Sequence, residues 1–259
     1  MTVSESNRRP FIANVRRALG HTADSDRKRR ERIFGQPISP ASKTVLEAIR
    51  GRSREDRLVL LDRFCEQAKP LNLNVIPVTD NAAASAAIVD LVAATAPEWG
   101  SEKSVVRWPD PLLDALGLET RLAAQKVPVH TTRPDTAAPI EEQRALVRRQ
   151  TIDAYIGVTT ADFCLADTAT LVMKSRPGRA RSVSLMPSVH VAVVRLGQML
   201  ADLKELYAVL RWDEKQWAEG LTHHMVLISG PSKTADIELV MVHGAHGPRA
   251  VHTVVITED

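Results

Sequence analysis

The amino-acid sequence predicts an α/β protein in which helices flank a mixed, largely parallel sheet. From residue 71 onward, short β-rich runs alternate with helical patterns, which is typical of strand–helix–strand crossover units. The chain has 259 residues and 44% of them are hydrophobic, so it can fill the core that such a sheet requires. Only 4% are aromatic, and we therefore expect a core of small aliphatic side chains.

Four apolar runs predict the first strands: "NVIPVT", "SVVRW", "VPVHTT" and "DAYIGVT". The alanine-rich segment "NAAASAAIVDLVAAT" between the first two predicts a helix that begins at Asp80 or Asn81, either of which can cap it. The segment "PIEEQRALVRRQ" predicts a second helix with proline in its first turn and with Leu146 and Val147 facing inward.

After residue 158 the sequence contains more runs with a β-strand pattern. The runs "ADFCLADTATLVMKS" and "SVSLMPSVHVAVV" are separated by the basic, turn-like "RPGRAR". A helix is expected over the leucine-rich "LGQMLADLKELYAVLRW", followed by the last strand pair, "HHMVLIS" and "AVHTVVIT".

Composition divides the chain into two parts. Residues 1–40 predict a basic helical N-terminal extension with a linker, and residues 41–259 predict the α/β domain, which opens with a helix from about Arg54 to Ala68. Residues 1–60 contain 14 Lys and Arg against 7 Asp and Glu, whereas the remainder is net negative.

The basic charge peaks at Arg27–Arg32, "RKRRER". Such a run can contact nucleic acid, an anionic membrane or an acidic partner, but it is more often a solvated helix face or arm. No aromatic residue interleaves it and the motif-bearing half is negative, so nucleic acid is the least favoured partner.

Several classes of protein are disfavoured by composition. No run approaches the roughly 20 apolar residues of a membrane span, and the first residues lack an apolar signal segment, so we expect a cytoplasmic protein without a membrane span. Cys65 and Cys164 form no C-x-x-C pair. We therefore expect no metal site and no cofactor in this chain, and any iron–sulfur chemistry would belong to partner proteins.

The segment "ISGPSKTADIELV" raises the question of anion binding. It is not a Walker loop, because Ser232 rather than glycine precedes Lys233. An apolar strand followed by Gly230 and a helix starting near Ser232 would nevertheless place free N–H groups, Lys233 and Thr234 around an anion. The alternative is that Ser232 only caps the helix, Lys233 is solvated, and Asp236 complements the helix dipole.

Three further candidates have equally ordinary alternatives. The turn "HGAHGPR" contains an H-x-x-H spacing and ends at Arg249, but that spacing alone is weak evidence for metal. Asp162 and Asp167 lie in a segment with a β-strand pattern. A carboxylate there can act as a nucleophile or a general base, or it can accept a hydrogen bond from its own backbone in a turn. His190 lies among core valines, where a buried imidazole is commoner than a catalyst.

Taken together, "ADFCLADTATLV", "GRARSVSLMPSVHVAVV" and "ISGPSKTADIELVMVHGAHGPRAVHTVVI" resemble the LUD-domain family, in particular its lactate utilization C branch. The resemblance covers roughly residues 70–259. It implies a fold similar to the ribose-phosphate isomerase, glucosamine-phosphate deaminase and CoA-transferase group. It also implies a part in oxidising L-lactate to pyruvate together with iron–sulfur partner proteins.

One segment departs from the family pattern. Where the family usually reads Ala-Glu-Thr/Ser-Gly-Thr, this chain has Asp167 in place of Glu and Ala169 in place of Gly. Aspartate is one methylene shorter, and alanine adopts positive φ at a cost that glycine avoids. Asp167 is therefore only a weak candidate for a catalytic residue, and whether the chain is itself an enzyme stays open.

The sequence is consistent with three functions. The first is a component of a cytoplasmic L-lactate utilization system that binds a small anionic metabolite; the others are an independent acyl- or phosphate-handling enzyme and a non-enzymatic binding subunit. We expect "GPSKT" to begin a helix that continues through Val242, with Lys233 facing the main cleft and Thr170 or His190 approaching it. The expected ligand-binding residues are Gly230, Ser232, Lys233, Thr234, Asp236, Thr168, Thr170, His190 and Arg249.

Overall fold

The structure is a computed structural model that describes residues 5–21, 28, 35–98, 102–133, 138–219, 222, 224–235 and 241–258. Two compact units are distinguished, Met1–Thr44 and Val45–Asp259. The predicted basic peak Arg27–Arg32 lies outside the described residues except for Lys28, and Asp236 also lies outside them. No described helix is long and apolar enough to cross a bilayer.

A parallel sheet forms the centre of the second unit. Among the described residues it has six strands in the order β1-β12-β7-β4-β2-β3. Its strands are β1 (Leu73–Val78), β2 (Val105–Arg107), β3 (Val129–Thr131), β4 (Ile156–Thr160), β7 (Val189–Arg195) and β12 (Ala250–Ile256). Every neighbouring pair runs parallel, which confirms the predicted α/β class.

Burial explains why these runs form strands. All five residues of β4 and the first six of β7 are buried, as expected for central strands of a parallel sheet that is covered on both faces. Gly157 in β4 is required by packing, since a Cβ there would lie 1.9 Å from the Val183 carbonyl oxygen. The four strands predicted from apolar runs are confirmed.

A second sheet is mixed, with the order β8-β5-β6-β9 in the described chain. Its strands are β5 (Phe163–Leu165), β6 (Thr170–Lys174), β8 (Met199–Leu200) and β9 (Met225–Ile228). The last two predicted strands, β9 and β12, therefore belong to different sheets. A separate hairpin joins β10 (Lys233–Ala235) to β11 (Met241–His243).

The described helices are distributed along the whole chain. They are α1 (Glu5–Ala18), α2 (Pro40–Arg50), α3 (Arg54–Ala68), α4 (Asn81–Ala94), α5 (Pro111–Ala115), α6 (Leu118–Ala123), α7 (Ile140–Asp153), α8 (Leu203–Trp212) and α9 (Glu214–Ala218). Of the two caps considered for α4, the structure uses Asp80, whose carboxylate accepts from the Ala83 N–H at 2.8 Å.

Three predictions about helices are wrong. Residues 233–235 form β10 and pair antiparallel with β11, so their backbone groups are satisfied by a ladder rather than by the predicted helix. The leucine-rich helix begins at Leu203 rather than Leu196, because Asp202 caps it there. Leu146 is exposed while Val147 is partly buried, since adjacent helical residues point about 100° apart.

Candidate functional site

The Gly230 to Lys233 segment, here called the GPSK turn, lies at the amino ends of the parallel strands. Gly230 has φ of 103°, and a Cβ there would lie 2.9 Å from the Leu71 carbonyl oxygen, so this position needs glycine. The Ser232 N–H donates to the Pro248 carbonyl at 2.8 Å, and the Gly244 N–H donates to the Ser232 carbonyl at 3.0 Å. The turn is thus fastened to the loop that precedes β12.

Ser232 and Arg249 have structural partners in this arrangement. The Ser232 hydroxyl accepts from the His246 N–H at 3.3 Å, so it holds a loop and caps no helix. Arg249 forms an ion pair with Glu98 at 2.6 Å. Its aliphatic stem crosses Gly244, where a Cβ would come within 2.3 Å of Arg249 Cγ. Glycine at Gly244, with φ of 84°, is therefore explained by this close approach.

A cluster of three hydroxyls leads into the GPSK turn. Thr170 Oγ1 lies 2.7 Å from Thr168 Oγ1 and 2.7 Å from Ser229 Oγ, the residue immediately before Gly230. Thr170 therefore contacts the residue that leads into the turn, and its role in ligand binding stays a prediction. Lys233 is exposed at the start of β10, and Thr234 follows it in the same strand.

His190 is enclosed by the main sheet instead of reaching the turn. It is fully buried on β7, and its Nε2 lies 2.8 Å from Thr159 Oγ1 on the adjacent β4. Burial, aided by the neighbouring His252, lowers the pKa of His190 to about 3. The imidazole is therefore neutral at physiological pH, in agreement with the interpretation of a core histidine.

Asp167 lies in a short turn between β5 and β6. Its carboxylate pairs with Arg63 of α3 at 2.9 Å, and its N–H donates to the Ala201 carbonyl at 3.0 Å. Ala169, two residues later, has φ of 44° and is fully buried. Ala169 therefore adopts the left-handed backbone conformation that glycine adopts at lower cost.

A charged cavity, here called the switch-point crevice, lies at the carboxyl ends of the parallel strands, opposite the GPSK turn. The chain passes from β2 outward to β3, but from β4 it passes to β7 on the other side. In open α/β sheets, ligands bind outside the carboxyl ends of the two strands where this direction reverses. A cavity of about 370 Å³ lies there, lined by Asp110 after β2 and by Thr160 and Asp162 at the end of β4.

Arginines from the "RPGRAR" turn pair with these carboxylates. Arg176 pairs with Asp162 through a very short contact and with Glu219 at 2.6 Å. Arg179 pairs with Asp110 at 2.5 Å and also lies over the Trp108 ring, 5.6 Å from its centroid. The turn is thereby held against both strand ends.

The remaining polar atoms of Asp110 and Asp162 are also satisfied. Asp110 accepts from the Leu112 N–H at 2.9 Å, which caps α5, and from the Thr160 hydroxyl at 3.2 Å. Asp162 accepts from the Lys174 N–H at 2.6 Å. The Lys174 ammonium is nearly buried and pairs with Glu219 at 2.6 Å, which, with help from Arg176, lowers the pKa of that carboxyl.

Arg195, at the carboxyl end of β7, differs from the other cations of the crevice. Its guanidinium donates a hydrogen bond to Asn81 Oδ1 at 3.4 Å, and it forms no ion pair within the described residues. Three cations, Arg176, Arg179 and Arg195, and three carboxylates, Asp110, Asp162 and Glu219, line the crevice, and Lys174 pairs with Glu219 without being a lining residue. The lining charges therefore balance in number, but Lys174 and Arg176 share Glu219, so Arg195 is the lining cation left without an ionic partner within the described residues.

Sequence reasoning singled out Asp162 but missed the other members of the crevice. Asp110, Arg179, Arg195 and Glu219 are separated by tens of residues and form no local motif. A signal was present in their position, since Asp110 and Asp162 each follow an apolar strand and parallel strands end at a common edge. The described residues contain no group of three or more His, Cys, Asp or Glu placed to hold a metal ion.

Comparison with known proteins gives consistent matches. The LUD domain family model matches residues 61–256. Lactate utilization protein C of Halalkalibacterium halodurans is 35% identical over 158 residues, which cover 60% of this chain and 64% of that protein, a little under two thirds of its length. Lactate utilization protein C of Geobacillus kaustophilus is 26% identical over 261 residues and 97% of each chain.

Two further matches span most of the chain. The uncharacterized protein YkgG of Escherichia coli is 29% identical over 250 residues, covering 96% of this chain and 98% of that protein. A crystal structure of a DUF162 family protein from Deinococcus radiodurans has a TM-score of 0.48 and 18% identity, covering 77% of this chain and 98% of that one. The expected similarity to the ribose-phosphate isomerase group stays a prediction.

Proposed function

The chain belongs to the LUD-domain family, and from that premise we propose that it is a component of a cytoplasmic L-lactate utilization system. In this proposal it acts with iron–sulfur partner proteins in the oxidation of L-lactate to pyruvate and binds a small monocarboxylate in the switch-point crevice. The observation that carries the proposal is the match to Geobacillus kaustophilus lactate utilization protein C, which extends along 97% of both chains.

The charge of the crevice supports a monocarboxylate ligand. The three carboxylates of the lining are paired with Lys174, Arg176 and Arg179, and Arg195 is left without an ionic partner within the described residues. A ligand carboxylate would supply that partner, because an arginine can bind a carboxylate through two parallel hydrogen bonds. The cavity of about 370 Å³ is at the lower end of small-molecule sites, which suits a small acid with some water.

Iron–sulfur clusters are assigned to the partners in this proposal. The two cysteines of the chain are separated by nearly a hundred residues, and Cys164 is fully buried, which raises the pKa of its thiol well above the ordinary value. Clusters need several thiolates close together. The chain would then supply carboxylate binding while electrons pass to groups on other proteins.

Ligand binding is tested first on the purified chain. We expect L-lactate or pyruvate to bind and to raise the melting temperature, and Arg195→Gln to weaken this binding at least tenfold. That factor corresponds to the roughly 1.5–3 kcal/mol of a lost charge-assisted hydrogen bond. Arg148→Gln, which removes an exposed arginine from α7, is the matched control and should bind like the wild type. A wild-type chain that binds neither acid contradicts the ligand assignment.

The cellular role needs a separate experiment. A strain that lacks this gene and has no second copy should fail to grow on L-lactate while growing normally on glucose, and the wild-type gene should restore growth. Affinity purification of the tagged chain should recover iron–sulfur proteins from cells grown on L-lactate. Unchanged growth of the deletion strain on L-lactate would refute the proposed role whatever the binding result.

A further inference from the structure

A second cavity lies at the amino ends of β1 and β12, on the edge of the sheet opposite the crevice. Its volume is about 550 Å³, larger than that of the crevice. We call it the amino-end pocket, and it is lined by Cys65, Lys69, Asn72, Leu73, Asn74, Val75, Pro231, Lys233, Arg249 and Ala250. The contacts made by the GPSK turn and by Arg249 do not explain why the fold keeps a cavity at this position.

The charge of this pocket differs from that of the crevice. Lys69, Lys233 and Arg249 line it, and its lining includes no carboxylate from the part of the chain that the structure describes. Lys69 pairs with Glu66 outside the pocket, and both side chains are 67% exposed. Ion pairs this exposed contribute little, so an anion in the pocket can replace Glu66 as the partner of Lys69 at small cost.

The wall of the pocket is fixed by backbone geometry. Asn72 has φ of 58°, and the left-handed turn that it makes leads the chain from α3 into β1. Gly230 packs against Leu71 in that same turn, and Ser232 is bonded to the 244–248 loop. These contacts hold Pro231 and Lys233 on the wall of the pocket, so little ordering would be needed on binding.

We propose that the amino-end pocket binds an organic phosphate. Lys69, Lys233 and Arg249 would hold the phosphate, because phosphate oxygens accept several charge-assisted hydrogen bonds at once. Leu73, Val75 and Pro231 would contact the organic part of the ligand. The pocket is separate from the switch-point crevice, and the proposal does not depend on lactate as the ligand of that crevice.

Binding is measured by calorimetry with ADP and glucose 6-phosphate as probes, beside adenosine, glucose and inorganic phosphate. We expect at least one organic phosphate to bind more tightly than inorganic phosphate, and its phosphate-free counterpart to show no binding. Lys233→Glu should weaken this binding at least tenfold, whereas Lys204→Glu, the same charge change at an exposed position of α8, should not. The crevice variant Arg195→Gln should also retain it. Absence of binding by both organic phosphates overturns the proposal.

Cys65 supplies an independent probe of the site. It is partly buried in the wall of the pocket, whereas Cys164, the other cysteine of the chain, is fully buried. A thiol reagent should therefore modify Cys65 alone in the folded protein, and Cys65→Ser should abolish the reaction. The bound organic phosphate should slow modification at least threefold, and inorganic phosphate should slow it less. Binding that leaves the modification rate unchanged would place the ligand elsewhere and would overturn the assignment.

Discussion

The two ends of the parallel sheet carry similar numbers of charged groups but hold them differently. At the carboxyl end, the Asp162 and Lys174 side chains are nearly buried, at 9% and 6% exposure, and pair with the less buried Arg176 and Glu219. At the amino end, Lys69 and Arg249 are exposed, and their partners Glu66 and Glu98 lie at the surface or partly covered. Buried charges must be paired, so the first set is part of the fold. The second set can change partners, which leaves it available to a ligand.

Matching carboxylate-to-amide changes at the two ends give the largest expected difference. Asp162→Asn removes the charge that faces Arg176 and Arg179 and leaves them only Glu219 and Asp110 as ionic partners, and breaking a largely buried pair costs about 3 kcal/mol. Glu98→Gln removes the partner of Arg249, whose side chain is 54% exposed, and should cost less than about 1 kcal/mol. Urea unfolding of both variants measures the two losses.

Asparagine keeps the shape of Asp162 and one acceptor oxygen for the Lys174 N–H, so the comparison isolates charge. High salt should reduce the loss in Glu98→Gln and leave most of the loss in Asp162→Asn, since buried pairs are screened less. Equal losses in the two variants would mean that burial does not distinguish the two ends.

The strands between the two ends offer a test by pH. His190 is fully buried with a pKa of about 3, whereas an unfolded histidine has a pKa of about 6.5. Below pH 6.5 the unfolded chain binds a proton that the folded chain does not, so the free energy of unfolding falls as pH falls toward 3. The contribution is complete above pH 6.5, and the loss from His190 at pH 5 should be about 2 kcal/mol.

The variant His190→Gln separates this effect from other titrations. It should show a smaller fall in the free energy of unfolding between pH 7.5 and pH 5 than the wild type, whatever its stability at pH 7.5. Burial also lowers the pKa of His252, so part of the pH dependence should persist in the variant. In the wild type, the NMR shifts of the His190 ring should be those of a neutral imidazole at pH 5, and a charged ring there would contradict the prediction.

The difference between the two ends also explains what could be predicted from sequence. The strands were predictable because parallel strands buried on both faces are short apolar runs, as in β4 and β7. The GPSK turn was recognisable as a candidate because its glycine, serine and lysine lie within four consecutive residues. The crevice was missed because Asp110, Asp162, Arg179 and Glu219 meet only when the strand order is known.

The wrong helix at the GPSK turn has a related cause. Local sequence showed a strand, a glycine turn and a serine, which is also how a helix begins. The structure instead bonds Ser232 to Pro248 and Gly244, residues that lie a dozen or more positions later, and β10 pairs with β11. Tertiary hydrogen bonds decided between two conformations that the local sequence allows about equally.

Ala169, beside the hydroxyl cluster that leads into the amino end, gives the smallest effect and the most direct test of backbone strain. Relief of the left-handed conformation in Ala169→Gly should gain about 1–2 kcal/mol. Loss of one buried methyl group costs about 0.8 kcal/mol, and the greater freedom of unfolded glycine costs about 0.5–1 kcal/mol. The net change should therefore be close to zero.

Ala192→Gly, at an equally buried position in β7 without positive φ, bears the same two costs without the gain and should lose about 1.5 kcal/mol. Because these two costs cancel in the difference between the variants, urea unfolding of the pair measures the strain at Ala169 directly, and equal losses would show that the left-handed turn is not strained.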